Sequence, residues 1–258
     1  MASDDRLLFE RLVAEALAQN LSGWDFSFIS HRWHEHPPPW DFRCIVLDRI
    51  RDIGSLLDMG TGGGEFLASL QPLPRDTFAT EGYPPNVPIA KERLEPLGVR
   101  VVEIDSDKRI PFEDNQFDLV INRHESYCAD EVYRVLKPGG SFVTQQVGGE
   151  NNIRLNELLQ ERVETEFSYW TLAYATRQLE GVGFEIVAQE EEYPETEFRD
   201  IGAVVYYLRV ISWQIPGFTV EKYADRLYAL HRDIQENGVL VTRSHRFYIE
   251  ALKPERVG

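Results

Sequence analysis

The chain has 258 residues, 43% of them hydrophobic and 27% charged, which is enough to bury a core in one large domain or two small ones. Asp and Glu number 43 against 27 Lys and Arg, a net charge of −16, and this argues against nucleic acid or anionic membrane as partner, since both demand clustered cations. No apolar run approaches the ~20 residues of a spanning helix, Asp4 and Asp5 stand where a signal peptide would be basic, and Cys44 and Cys128 suit reduced thiols, so the expectation is a soluble, cytoplasmic protein.

Residues 4–20 place Leu8, Leu12, Val13, Ala16 and Leu17 at helical spacing, with Gly23 past the end. Trp24, Phe26, Phe28, His31, Trp33, His34 and His36 follow, then Pro37-Pro38-Pro39-Trp40. Three prolines fit neither a helix nor a central strand, so this stretch reads as an ordered loop. From residue 42 helices and apolar strands alternate. Helix 44–52 precedes strand 55–58, a glycine cluster, and a short helix from Glu65 that Pro72 ends. Strand 78–80, helix 86–97, strands 99–104 and 117–121, helix 130–136 and strand 142–147 come next. Pro138-Gly139-Gly140 reads as the stop of helix 130–136. Such alternation predicts a parallel sheet covered on both faces. Helices 152–164 and 171–180, a strand 184–188, a mostly helical stretch 200–237 and a last strand 245–252 complete the chain. The expected division is an N-terminal helix and lid segment (1–49), a doubly wound core (50–199 and 241–258) and a cap inserted at 200–240.

The most informative stretch is Asp58-Met59-Gly60-Thr61-Gly62-Gly63-Gly64-Glu65, between a strand and a helix. Glycines there permit a tight turn and close approach of a ligand. No Lys follows Gly64, so it is not a phosphate-binding P-loop. Gly60 and Gly62 begin a dinucleotide fingerprint, but Glu65 holds its third glycine position, where a carboxylate would face a pyrophosphate. Acidic flanks suit a cationic ligand better. The run Asp58-x-Gly60-x-Gly62-x-Gly64 resembles the first motif of class I methyltransferases, and four further features fall in that family's order. Glu81 ends the second strand. Asp105-Ser106-Asp107 follows the third. Ile110-Pro111-Phe112-Glu113-Asp114-Asn115-Gln116-Phe117-Asp118 leads into the fourth, and Glu131-x-x-Arg134-Val135-Leu136-Lys137-Pro138-Gly139-Gly140 into the fifth. The likeness covers roughly residues 55–147 and is nearest the "type 11" group. It implies a Rossmann-like class I methyltransferase fold with S-adenosyl-L-methionine as cofactor. By the same resemblance, Asp58, Gly60, Thr61, Gly62 and Gly64 bind the cofactor, Glu81 holds its ribose, and Asp105 or Ser106-Asp107 its adenine. Backbone of Asn122 and Arg123 lies beside the methionine portion. Asp118 and Arg134 read as structural.

A methyl group on a sulfonium is already activated, so the protein's task is alignment in a dry site, with a base only if the acceptor must lose a proton. His124 is the candidate base, oriented by Glu125, because the loop after the fourth strand faces the ligand crevice of an open sheet. Trp33 and Gln145 are the candidate acceptor contacts, and Trp40 is a second ring that could close over them. His245 reads as structural. His31, His34 and His36 lack metal-ligand spacing, so no metal is expected. Aromatics at 167–174 and 206–228 suit a small-molecule acceptor. The alternative reading is a sensor or partner subunit that binds S-adenosyl-L-methionine without transferring a methyl group; the oligomeric state is not legible.

Overall fold

Each apolar run between residues 55 and 147 expected to be a strand is one in the computed structural model, which describes residues 2–21, 23–163 and 165–255. Residue 164 of the expected helix 152–164, and residues 1 and 256–258 of the expected terminal segments, lie outside the described residues. In chain order the elements are α1 (Ala2–Leu17), β1 (Trp33–Glu35), α2 (Phe42–Ile50), β2 (Ser55–Met59), α3 (Glu65–Ala68), β3 (Asp76–Glu81), α4 (Val87–Leu94), β4 (Arg100–Glu103), β5 (Phe117–Arg123), α5 (Ala129–Val135) and β6 (Leu136–Val147). They continue with α6 (Ile153–Leu159), α7 (Leu172–Gly181), β7 (Glu185–Glu192), β8 (Glu195–Phe198), α8 (Ile201–Val210), α9 (Ala224–Asn237), β9 (Leu240–Arg243) and β10 (Arg246–Leu252).

The chain forms two compact units. The sheet unit is Pro39–Val147, Trp170–Glu191 and Arg246–Gly258; the helical unit is Met1–Pro38, Gly148–Tyr169 and Glu192–His245. This division differs from the expected one. Residues 39–49 join the sheet, because Phe42, Val46 and Ile50 of α2 bury against its strands. Residues 148–169 and 192–199 join the helical unit, because Leu155, Leu159 and Phe198 belong to its core.

In the sheet unit seven strands run in the order β4-β3-β2-β5-β6-β10-β7. Strands β2 to β6 are parallel to their neighbours, and β10 is antiparallel to β6. Strand order reverses between β2 and β5, so the loops leaving their carboxyl ends diverge and open a crevice there. One core packs Leu57, Phe117, Phe142 and Phe247 on one face, and another packs Leu56, Leu119, Ile121 and Val143 on the other. This is the doubly wound, mostly parallel architecture expected.

The motifs leading into β5 and β6 are explained by hydrogen bonds. Asp118 accepts from the backbone N–H of Gly54 and Ser55, from Ser55 Oγ and from Lys137 Nζ, tying β5 to the start of β2. Arg134 donates to the carbonyls of Ile110 and Phe112 and to Glu131 and Asp114, while Glu131 accepts from the Ile110 N–H. The partly exposed Arg134 is thus a latch on the 110–114 turn. Hydrogen bonds to charged groups are worth ~1.5–3 kcal/mol each, reduced where solvent reaches them. Arg134→Met is expected to destabilise the protein by about 3 kcal/mol in urea unfolding while leaving ligand affinity in the folded fraction unchanged.

Pro138-Gly139-Gly140 does not stand between helix and strand as a separate turn. Helix α5 ends at Val135 and β6 begins at Leu136, running through these residues with a register shift opposite Phe117 and Leu119. The shift absorbs the proline that a regular ladder would reject.

The helical unit holds a three-stranded sheet, β1-β8-β9, antiparallel throughout. It corrects the reading of residues 24–40 as loop only. β1 is three residues long and pairs Trp33 with Phe198. β8 alternates exposed Glu195 with buried Thr196, then half-buried Glu197 with buried Phe198. Strands this short carry little local signal. Helix α8 is buried along nearly its whole length, among α1, α9 and the aromatic side chains of residues 26–33. Asp200 caps it by accepting from the Ala203 N–H at 2.8 Å. Among the described residues no helix is long and apolar enough to cross a membrane.

Candidate active site

Five segments of the sheet unit converge at the carboxyl ends of β2, β3, β4, β5 and β6. Gly60, at φ +68, begins the turn after β2, and the Thr61 N–H bonds to the Thr80 carbonyl of β3 at 2.9 Å. A Cβ at Gly60 would lie 2.2 Å from Glu125 Cγ, so this glycine makes room for the protein itself. A Cβ at Gly62, at φ +62, would meet nothing within 4 Å, so the space beside it is open. Arg93 of α4 braces the turn through the Gly63 carbonyl and Glu65.

Two carboxylates flank this turn. Asp58 is 3% exposed and accepts from Thr61 Oγ at 2.7 Å. Burial pushes its pKa up to about 7, the Thr61 hydroxyl and Arg123 pull it down, and the charge of Glu81 pushes it up again. Glu81 is 4% exposed, and its Oε1 accepts from the Tyr83 N–H at 2.7 Å. Buried, close carboxylates are expensive unless a cation or donors meet them. Asp105 and Ser106 are exposed, and Ser106 Oγ accepts from the Lys108 N–H in its own turn. Asp107 is half-buried, and its charge, after burial and alongside that of Glu81, helps raise the pKa of Glu125.

The loop after β5 is held from below. Buried Asn122 accepts from Thr144 Oγ and Gln146 Nε2 and donates to the Ser126 carbonyl. The Arg123 guanidinium lies 5.0 Å from the ring of Phe66. His124 has a left-handed backbone, φ +61, stabilised by its N–H bonding to the Gln145 carbonyl at 2.8 Å. Non-glycine residues held there are uncommon and concentrate at functional sites. His124 is exposed to solvent, while the protein groups packed around its ring desolvate it in part. That desolvation, followed by the charges of Arg246 and Arg123, holds its pKa well below the usual near-neutral value.

Glu125 does not orient His124. Its carboxylate accepts from the N–H and hydroxyl of Ser126. Gln145 takes that role, its Nε2 lying 2.9 Å from His124 Nε2. Trp40, Gln145 and His124 therefore meet in one unit. Trp33 belongs to the helical unit, stacked on Phe26 at 4.9 Å between ring centroids. Nothing in the local pattern could have joined Trp40 to Gln145, 105 residues away.

His245 is fully buried, stacked on Tyr193, with Nδ1 accepting from the Glu150 N–H. His34 and His36 lie edge to face, and His36 stands 3.6 Å from Glu197. Among the described residues no three His, Cys, Asp or Glu side chains converge as a metal site.

Known proteins agree with this architecture. Residues 57–144 match a family model described as a methyltransferase domain. A Mycobacterium ulcerans (strain Agy99) protein described as a phthiotriol/phenolphthiotriol dimycocerosates methyltransferase is 28% identical over 130 residues, 48% of this chain and 45% of its own. The chain thus matches about half the length of the curated relatives. A solved Bacillus halodurans C-125 structure, described as a candidate methyltransferase, is 20% identical with a TM-score of 0.59, covering 82% of this chain and 98% of that one. A [4+2]-cyclase, SpnF, is 17% identical with a TM-score of 0.52, covering 86% and 88%. These structures share the fold, and a fold alone does not fix a reaction. The sheet order and these solved structures show a Rossmann-like class I methyltransferase fold, and the stretch matching a methyltransferase domain, residues 57–144, spans β2 to β6 and the glycine turn.

Proposed function

We propose that the chain binds S-adenosyl-L-methionine and transfers its methyl group to a small molecule by in-line displacement. The carrying observation is the pair of buried carboxylates, Asp58 and Glu81, beside the open space at Gly62. The cofactor would supply an activated methyl on a cationic sulfur. Asp58 and the backbone from Gly60 to Gly64 would hold the methionine end. Glu81, with one oxygen already bonded to Tyr83, would accept from the ribose hydroxyls. Asp105, Ser106 and Asp107 would line the adenine, with Asp107 the least exposed of them. The backbone of Asn122 and Arg123 would flank the methionine portion, and His124 and Gln145 would face the acceptor. Trp33 as a second acceptor contact rests on the sequence alone.

A small molecule is favoured over RNA or DNA because Lys108-Arg109 and Arg243 with Arg246 are sparse clusters in a chain of charge −16. The mycobacterial relatives' names point the same way.

Calorimetry with S-adenosyl-L-methionine and with NAD, followed by transfer of labelled methyl groups into a metabolite extract, tests the reading. The expected result is binding of the sulfur nucleotide alone and label recovered in a small-molecule product. Tight NAD binding would overturn it. Sulfur-nucleotide binding with no transfer to any extract would make the chain a sensor instead.

A further inference from the structure

The ring of His124 sits at the end of a hydrogen-bonded chain whose direction is fixed at its far end. An indole N–H can only donate. Trp40 Nε1 lies 2.8 Å from Gln145 Oε1, so that atom is the amide oxygen and the opposite one is the NH2 group. The amide nitrogen then donates to His124 Nε2 at 2.9 Å. Amide orientation is often ambiguous, but a donor-only neighbour settles that of Gln145. His124 Nε2 must present its lone pair to Gln145, which leaves the ring proton on Nδ1. A protonated imidazolium would set an N–H against an N–H.

The chain is rigid. Gln145 is 6% exposed, Tyr248 is its partner across β6 and β10, and the Trp40 ring packs on Tyr248 at 5.1 Å. The charged groups around His124 are Arg123 on its own loop, Arg246 on β10 and neighbouring Glu125. Both cations oppose protonation, in keeping with the direction of its pKa. Among the described residues no hydrogen-bond acceptor meets Nδ1, and the side chain is exposed.

We propose that Trp40 and Gln145 are positioning residues that lock His124 as the neutral Nδ1–H tautomer, so that His124 offers the crevice a hydrogen-bond donor and is not a general base. That this donor meets a methyl acceptor rests on the methyltransferase reading; the tautomer does not. Under that reading the acceptor presents an oxygen or nitrogen lone pair to His124, and its nucleophilic atom gives no proton to that ring.

Long-range nitrogen–proton correlation spectra of the full chain labelled at the histidine ring nitrogens test this directly, with His124→Gln assigning the signal. The wild type should show a protonated Nδ1, a bare Nε2 and no titration of His124 between about pH 5 and 9, where an unrestrained ring changes charge. Gln145→Glu supplies an acceptor to Nε2, so the proton should move there and the ring should titrate inside that range. Trp40→Phe frees the amide to turn and should yield both tautomers. A wild-type Nε2–H, a titration near neutrality, or a Gln145→Glu spectrum identical to wild type would each overturn the inference. Calorimetry with S-adenosyl-L-methionine on the same wild-type sample separates the two readings: lost binding with the expected tautomer defeats only the methyltransferase reading.

Discussion

Asp58→Asn is expected to make the unliganded protein more stable and its cofactor binding weaker. Burial raises the Asp58 pKa from an ordinary 3.8 to about 7, so the folded chain holds this proton more tightly than the unfolded chain. The associated stability is fully present below the unfolded value and is lost as pH rises through about 7. At pH 8 the buried charge costs about 4 kcal/mol, the free-energy equivalent of that difference. Asn keeps an acceptor for Thr61 and carries no charge. Thermal scans at pH 8 should show a rise on the order of 10 °C over wild type, at the ~2–4 °C per kcal/mol typical of this chain length. The rise should shrink to a few degrees near pH 4.5. The same variant should bind S-adenosyl-L-methionine at least ~10-fold more weakly, the usual scale for losing a charged hydrogen-bonding partner. A rise over wild type no larger at pH 8 than at pH 4.5 would mean that Asp58 is not buried as a charge. The expected pair of results would make this a site where stability is given up for binding.

Glu81→Ala should weaken cofactor binding by ~10- to 100-fold, since two charge-assisted hydrogen bonds are worth ~1.5–3 kcal/mol each and water replaces part of them. The fold should survive, because Glu81 Oε1 makes one bond, to the Tyr83 N–H, and that amide can turn to solvent. Glu81→Gln retains one accepting oxygen and should fall between. Calorimetry at matched pH reads both. Unchanged affinity in a folded Glu81→Ala would place the ribose elsewhere.

Much of the sheet unit was legible because its signals are local. Strands β2 and β5 carry short apolar runs, Leu56-Leu57 and Leu119-Val120-Ile121, and Gly60 to Gly64 announce the turn between β2 and α3. The structural parts expected of Asp118 and Arg134 are visible as hydrogen bonds to Ser55 and to the 110–114 turn. The helical unit was less legible. β1, β8 and β9 are three or four residues long, and each is a strand only because another segment far along the chain supplies its partner. The division at Pro38 and Pro39 is equally invisible locally, since it depends on which core Phe42 and Phe9 enter.

The sequence by itself determined the doubly wound sheet, the glycine turn and the two carboxylates beside it. Periodicity, glycine conformation and charge act over a few residues and are written in order. Tertiary structure alone decided what surrounds those groups. It buried Asp58 next to Glu81, turned Glu125 toward Ser126 instead of His124, and brought Trp40 onto Gln145. Each of these depends on desolvation or on hydrogen-bond direction between segments far apart in sequence. Neither quantity exists until the chain has folded.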